Sequence, residues 1–148
     1  MISFIIPGRP VPMARPRVTA HGTYTPQKCA DYKKAVALVA KAAMRGNEPL
    51  QGAVSCSISL GFAIPKSYTK GKRLAAKNNI TRPTGRNTGD ADNHAKAILD
   101  ACTGIVWRDD SQIVSLSVAK WWGRECAEVT VIECGEGGLD GTTDKSAN

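Results

Sequence analysis

The pattern of apolar residues predicts four β-strands, the first of which is a short apolar run that stops at Pro7 and Gly8. The alternation of apolar and polar residues is clearest in residues 53–64, where every second residue from Val54 to Phe62 is apolar and expected to face the core. The last two strands are separated by only three residues around Gly123, so we expect them to pair as a hairpin. The predicted strands are residues 2–6, 53–64, 111–122 and 126–134.

Two further segments repeat apolar residues at helical spacing. The first follows Thr25 and Pro26, a predicted N-cap and first helical residue, and ends near Gly46. The second begins near Asp92 and ends at Gly104, a typical C-terminal stop. The apolar positions that define these helices are Tyr32, Val36, Val39 and Ala43 in the first, and Ala95, Ile98, Leu99 and Cys102 in the second.

Three segments show neither the alternation of a strand nor the apolar spacing of a helix. Residues 11–26 are interrupted by prolines and are expected to form a loop or a loose hairpin. Residues 65–89 are rich in Lys and Arg, contain no acidic residue, and are expected to be a mobile segment with at most a short turn at residues 73–78. Residues 135–148 have almost nothing to bury and are expected to be a disordered tail. We therefore predict one α+β domain over residues 1–134, with a small mixed β-sheet packed against two main helices.

The charge of the chain favours a polyanionic partner. Its 148 residues include 20 Lys or Arg and 13 Asp or Glu. Residues 1–124 carry a net charge of +12, whereas residues 125–148 carry −5. No apolar run is long enough for a membrane span or a signal segment, and the five cysteines form neither a disulfide framework nor a zinc pattern. These features indicate a cytoplasmic protein whose cationic domain binds nucleic acid.

The acidic residues of the cationic region are clustered. Five of the seven lie between positions 90 and 110, and all five are aspartates. Mg²⁺ is typically held by one or two carboxylates together with water and substrate phosphates, so the cluster indicates a small metal site. A bound cation would also remove the repulsion between carboxylates and a polyanion. Ordinary roles stay open, because an aspartate at position 92 can cap a helix and Asp109 with Asp110 can form a turn.

Lys96 lies one helical turn after Asp92 and one turn before Asp100. The spacing allows an ordinary ion pair on the helix surface, which would contribute only a few tenths of a kcal/mol. It equally allows a cation beside the metal that stabilises charge developing on a phosphate. The spacing alone does not distinguish the two roles.

The segment DADNHAKAILDACTG, at residues 90–104, and the Asp109–Asp110 pair after it resemble the signature of the RusA-type Holliday-junction endodeoxyribonucleases. That signature is approximately D-x-D-N-x-x-K-x-x-x-D-A-x-x-G, an apolar and aromatic stretch, and then a paired D-D. The resemblance extends to the N-terminal segment PGRPVPMARPR, where Met13 stands in place of a frequent basic residue, and covers residues 2 to about 133.

The resemblance implies a RusA-like fold and a Mg²⁺-dependent endonuclease, with Mn²⁺ as an alternative metal. It implies that Asp90, Asp92 and Asp110 are catalytic metal ligands, that Lys96 is an essential lysine, and that Asp109 is an alternative ligand. Asn93 and Asp100 match recurrent positions of undefined role. It further implies a homodimer, bacterial or phage-encoded, that resolves four-way DNA junctions by paired symmetric cuts, with no organic cofactor.

DNA binding is expected from the basic residues of the two irregular segments. Trp107, Trp121 and Trp122 offer rings that could stack on exposed bases, or that belong to the core or to a dimer interface. The alternatives to a junction resolvase are a nuclease of forks, flaps or other branched DNA, and a non-catalytic junction-binding protein with a structural ion. The predicted DNA-binding residues are Arg9, Arg15, Arg17, Lys66, Lys70, Lys72, Arg73, Lys77, Arg82 and Arg86.

Overall fold

The computed structural model of the chain describes residues 1–15, 17–24 and 26–134. The predicted tail at residues 135–148 and the predicted cap Thr25 therefore lie outside the described residues. The elements are β1 (Ile2–Pro7), β2 (Arg17–Thr19), β3 (Gly22–Tyr24), α1 (Gln27–Met44), β4 (Ala53–Phe62), α2 (Lys70–Lys77), α3 (Ala91–Cys102), β5 (Ile113–Trp122) and β6 (Cys126–Cys134).

A four-stranded mixed sheet and two long helices confirm the predicted α+β fold. The strand order is β1-β6-β4-β5, in which β4 and β5 are parallel and the other neighbours are antiparallel. Helices α1 and α3 pack against each other, α1 also contacts β1, and α3 also contacts β5. The strands β2 and β3 form a separate antiparallel pair, so the predicted loose hairpin is confirmed.

The core lies between the helices and one face of the sheet. Val54, Cys56, Ile58, Leu60 and Phe62 of β4 are all buried, as their alternation predicts. They meet the buried faces of α1 and α3. Trp107, which follows α3, is fully buried among them, and this excludes it from stacking on DNA in the folded chain.

The predicted hairpin of β5 and β6 is wrong, because β4 lies between these two strands. The connection at residues 123–125 crosses the end of β4, and Gly123 N–H donates to the Phe62 carbonyl at 2.8 Å. A Cβ atom at Gly61 would lie 2.0 Å from the Arg124 carbonyl oxygen. The crossing is therefore possible only because β4 has a glycine at that point.

The basic segment at residues 65–89 is more ordered than its composition indicates. Residues Lys70–Lys77 form α2, which begins where the Thr69 hydroxyl accepts a hydrogen bond from Lys72 N–H. Ala76 of this helix is buried, and a 3-10 turn follows at Arg86–Thr88. The expectation of an irregular segment with a turn only at residues 73–78 is therefore wrong. The cap supplied by Thr69 and the burial of Ala76 offset the absence of a long apolar period.

The cysteines agree with the sequence-based expectation of a chain without disulfides. All five are free thiols; Cys29, Cys56, Cys102 and Cys126 are buried, and Cys134 is exposed. Burial raises the pKa of Cys56 to about 11 and that of Cys102 to about 12, so both thiols stay protonated and behave as small apolar side chains. Within the ranges that the structure describes, no helix is long and apolar enough to cross a membrane.

Candidate functional site

Asp90 and Asp92 lie together at the start of α3, and both side chains are exposed. Asp90 occupies the N-cap position, but its carboxylate accepts no hydrogen bond from the first turn of the helix. The capping role considered for Asp92 is therefore wrong, because the N-cap position belongs to Asp90, and the Asp90 side chain does not cap the helix either. Among the described residues neither carboxylate forms an ion pair, in a chain with 20 basic residues. Both are free to bind a cation.

The turn that presents these carboxylates is held by buried neighbours. Gly89 adopts a φ of 78°, and a Cβ there would lie 2.9 Å from His94 Nε2 and 3.0 Å from Pro12 Cγ, so only glycine fits. His94 Nε2–H donates to the buried carbonyl of Thr88, and Lys120 Nζ donates to the Gly89 carbonyl at 2.7 Å. The two bonds fix the backbone on either side of the turn.

Lys120 and His94 are polar side chains that lie near the apolar ring of Phe62, at the end of β4. Burial lowers the pKa of His94, so that the ring is neutral and its Nδ1 has no partner in the described structure. Burial also lowers the pKa of Lys120, while the Asp90 carboxylate opposes that shift. Lys120 Nζ and the Arg9 guanidinium lie 5.8 Å and 5.4 Å from the centre of the Phe62 ring.

Neither Lys120 nor His94 has a role that was predicted from the sequence. For Lys120 a signal exists, because a lysine occupies an inward-facing position of β5, where it pairs in register with the buried Leu60. For His94 the signal is weaker, since a buried histidine in a helix is most often a packing residue. Its hydrogen bond to Thr88 identifies it as a residue that positions the turn before Asp90.

Lys96 is exposed and forms no hydrogen bond or ion pair with any described residue. Asp100, its neighbour one turn later, pairs instead with Lys33 of α1 at 2.7 Å. The alternative of a surface ion pair along α3 therefore has no support in the structure. Lys96 remains a free cation one turn from Asp92.

Asp109 and Asp110 have different local roles. The Asp109 carboxylate accepts a hydrogen bond from Ser111 N–H, and this bond lowers the pKa of Asp109. Asp109 also forms a capping box with Gln112. The hydrogen bond shared with Asp109 raises the pKa of Asp110. Asp109 thus stabilises the turn before β5, and Asp110 is the member of the pair whose carboxylate is not occupied by capping.

The two aspartate pairs lie at opposite ends of the sheet. Gln112 donates to the carbonyls of Leu50 and Gly52 at the start of β4, whereas Lys120 beside Asp90 is in register with Leu60 near its end. Ile113 pairs with Val54, so about six residues of β4, or roughly 20 Å, separate the two ends. Across the described ranges no three Asp, Glu, His or Cys side chains are close enough to share a metal ion. The structure brings Asp90 and Asp92 together and leaves Asp110 apart from them.

The donor set at Asp90 and Asp92 suits a hard divalent cation. Two exposed carboxylates on one turn match the protein contribution to a Mg²⁺ site that is completed by water and substrate phosphate. Zinc prefers cysteine and histidine ligands, and this pair of aspartates offers neither. The nearby His94 donates to the Thr88 carbonyl instead. The residues present therefore fit Mg²⁺ or Mn²⁺.

Four of the ten predicted DNA-binding residues lie near the same end of the sheet. Arg9, Lys66 and Arg82 line a cleft of about 580 Å³ beside Thr88, and Arg73 binds the Pro65 and Lys66 carbonyls. The side chain of Arg17 lies outside the described residues. The others, Arg15, Lys70, Lys72, Lys77 and Arg86, are exposed.

Two comparisons with known proteins bear on the family of the chain. A family model described as endodeoxyribonuclease RusA matches residues 7–132. The chain is also similar to the uncharacterized protein YqaN of Bacillus subtilis (strain 168), with 34% identity over 130 residues, which is 84% of this chain and 89% of YqaN. The region matched by the family model contains both aspartate pairs, Lys96, Lys120 and the cationic cleft.

Proposed function

Because the chain belongs to the RusA endodeoxyribonuclease family, we propose that it is a Mg²⁺-dependent endonuclease that resolves four-way DNA junctions by paired symmetric cuts. The observation that carries the proposal is the pair of free carboxylates of Asp90 and Asp92 on a turn fixed by Lys120 and His94. Carboxylates without ion-pair partners repel the phosphates of DNA. They suit a DNA-binding surface when they hold a metal ion that attracts a phosphate.

Each group at the site has a defined task in phosphodiester hydrolysis. Asp90 and Asp92 hold the metal, which when bound supplies Lewis-acid activation of the scissile phosphate and of water. Lys96, exposed one turn along α3, stabilises the negative charge that grows on the phosphate oxygens. Lys120 and His94 keep the turn in place, so the two carboxylates need little reorganisation.

A comparison of DNA substrates tests the proposed function. We expect the protein to cut a synthetic four-way junction at symmetry-related positions in Mg²⁺ or Mn²⁺, and to cut linear duplex far more slowly. Faster cleavage of a fork or a flap would assign it to the alternative class of branched-DNA nucleases. Junction binding without cleavage in either metal would support a non-catalytic binding protein instead.

We also propose that the active form is a homodimer with two-fold symmetry. Paired cuts in one junction require two sites, and a two-fold axis matches the approximate symmetry of the junction. Strand β5 lies at the edge of the sheet, and Val114 and Leu116 on it are exposed apolar residues suited to such an interface. Within one chain, Asp110 lies at the opposite end of the sheet from Asp90 and Asp92. In a dimer, Asp110 of one subunit can lie beside Asp90 and Asp92 of the other.

Mixing two inactive variants tests this arrangement. If Asp110 of the partner subunit completes each site, Asp92→Asn dimers mixed with Asp110→Asn dimers and allowed to exchange subunits are expected to regain one intact site in each mixed dimer. Gel analysis of junction products should then show single nicks in place of paired cuts. A mixture that stays inactive, although light scattering shows dimers, would mean that Asp110 acts within its own chain.

Replacing Lys96 by alanine is expected to lower turnover about a hundredfold, as for the loss of one positioned group that stabilises developing charge. The melting temperature should stay unchanged, because Lys96 is exposed and has no partner in the described structure. Cleavage under single-turnover conditions and thermal unfolding measure the two effects. Lys96→Arg is the matched variant and should retain part of the activity. A lower melting temperature with an unchanged cleavage rate would indicate a structural role.

A further inference from the structure

The cleft beside α3 combines positive charge with aromatic rings. Its volume is about 580 Å³, and its lining includes Arg9, Lys66 and Arg82 together with the rings of Tyr68 and Trp122. None of the described residues that line it is acidic. A lining of this kind is suited to a nucleotide, since the charges attract phosphate and the rings offer surfaces on which a base can stack.

The basic groups of the cleft are held in place by the protein. Arg9 donates to the Asn87 carbonyl at 2.9 Å and pairs with Glu125 at 3.2 Å. Arg82 donates to the Lys120 carbonyl at 2.6 Å, and its guanidinium lies 3.4 Å from the centre of the Trp121 ring. Groups that are already ordered lose little conformational entropy when a ligand binds.

The rings of the cleft are also ordered and remain partly accessible. Tyr68 and Trp122 meet edge to face with their centres 5.8 Å apart, and both side chains are half-buried. Lys72 Nζ lies 5.7 Å from the centre of the Tyr68 ring. Rings in this setting are rigid enough to serve as a stacking surface and are not enclosed by the core.

The cleft is adjacent to the metal-binding carboxylates. Thr88 belongs to its lining, and Asp90 follows Thr88 by two positions, at most about 7 Å of chain. A phosphate held at Asp90 and Asp92 therefore places the neighbouring nucleotide within reach of the cleft. The bases of intact duplex are paired and stacked and do not extend that far.

We propose that this cleft holds one unstacked nucleobase of the DNA, next to the phosphate bound at Asp90 and Asp92, with Tyr68 as its main stacking partner. The inference rests on the proposed nuclease function. Removing a base from the stack requires a few kcal/mol in duplex and least where pairing is already disturbed. The cleft thereby favours branch points over linear duplex without reading the base sequence.

Photochemical cross-linking tests the proposal independently of cleavage. 5-Iododeoxyuridine would be placed, one position at a time, at the nucleotides around the branch point of a four-way junction, and the complex with the slowly cutting Asp92→Asn variant would be irradiated in Mg²⁺. We expect a cross-link from one position on each cut strand, which mass spectrometry maps to Tyr68 or Trp122. The same nucleotide in linear duplex should give at least tenfold less product.

Variants at Tyr68 separate stacking from folding. Tyr68→Ala is expected to reduce the cross-link about tenfold and to lower the preference for junction over duplex by a similar factor, whereas Tyr68→Phe keeps the ring and should behave as the wild type. Cross-links that map outside the cleft, or equal yields from junction and duplex, would overturn the proposal. Junction cleavage in Mg²⁺, measured separately, shows whether the nuclease function fails instead.

Discussion

Replacing Asp90 or Asp92 by asparagine is expected to reduce junction cleavage roughly a thousandfold, the equivalent of about 4 kcal/mol in the activation barrier. Each change removes one of the two negative charges that hold the metal. Junction binding should survive, because the basic residues that contact phosphates are untouched. Single-turnover cleavage and gel-shift titration at one fixed salt concentration measure the two properties. The melting temperature should not fall, since neither carboxylate has a partner among the described residues.

Asp31→Asn is the matched control for these variants. Asp31 is an exposed aspartate of α1 whose carboxylate accepts a hydrogen bond from Gln27, so its replacement removes the same charge from a residue outside α3. Cleavage by this variant should equal that of the wild type. Retained cleavage in either Asp90→Asn or Asp92→Asn would show that the metal site lies elsewhere. Loss of junction binding in both would show that these residues act through the fold or the surface charge.

Replacing Gly61 by alanine is expected to destabilise the fold by about 3 kcal/mol or more. The added Cβ would lie 2.0 Å from the Arg124 carbonyl oxygen, and that atom belongs to backbone that cannot rotate away as a side chain can. Either β4 or the crossing at residues 123–125 must shift, and the hydrogen bond from Gly123 to Phe62 then weakens. Urea unfolding followed by circular dichroism measures the change in the free energy of unfolding.

Gly71→Ala provides the comparison for Gly61. Gly71 lies in α2 and is exposed, and a Cβ atom added there would extend into open space, with no neighbouring group within 4 Å. Alanine is the better helix former, so the variant should be as stable as the wild type or more stable by about 0.5–1 kcal/mol. Equal stability of the Gly61 and Gly71 variants would mean that the crossing relaxes without cost.

Most helices and strands are predicted well from the sequence, because the spacing of apolar residues that identifies each one lies within the element itself. The helix from Gln27 and the strand Cys126–Cys134 follow directly from apolar spacing. The order of the strands is not predicted from the sequence, because a three-residue connection suggests a hairpin. The one residue that indicates a crossing instead is Gly61, a glycine within a strand. Helix α2 is missed because its stability comes from a cap and one buried alanine.

The candidate site is predicted in its residues but not in its arrangement. The motif identifies Asp90, Asp92 and Lys96, whose spacing along one helix determines where they lie. The position of Asp110 depends on the path of the chain between α3 and β5, which local spacing does not describe. Lys120 is missed for a similar reason, because only the parallel pairing of β5 with β4 brings it to the Gly89 carbonyl.

The strand order also determines when the chain can fold during its synthesis. In the part of the chain that the structure describes, β1 pairs with β6, and β4 pairs with β5 and β6, so the first strand waits for residues about 120 positions later. Contacts between such distant parts of a chain slow folding. Until Cys126–Cys134 leaves the ribosome, β1 and β4 have unpaired edges and an uncovered apolar face, which are the features that promote aggregation. The nascent protein is therefore expected to depend on chaperones for most of its synthesis and to assemble its sheet in one late step.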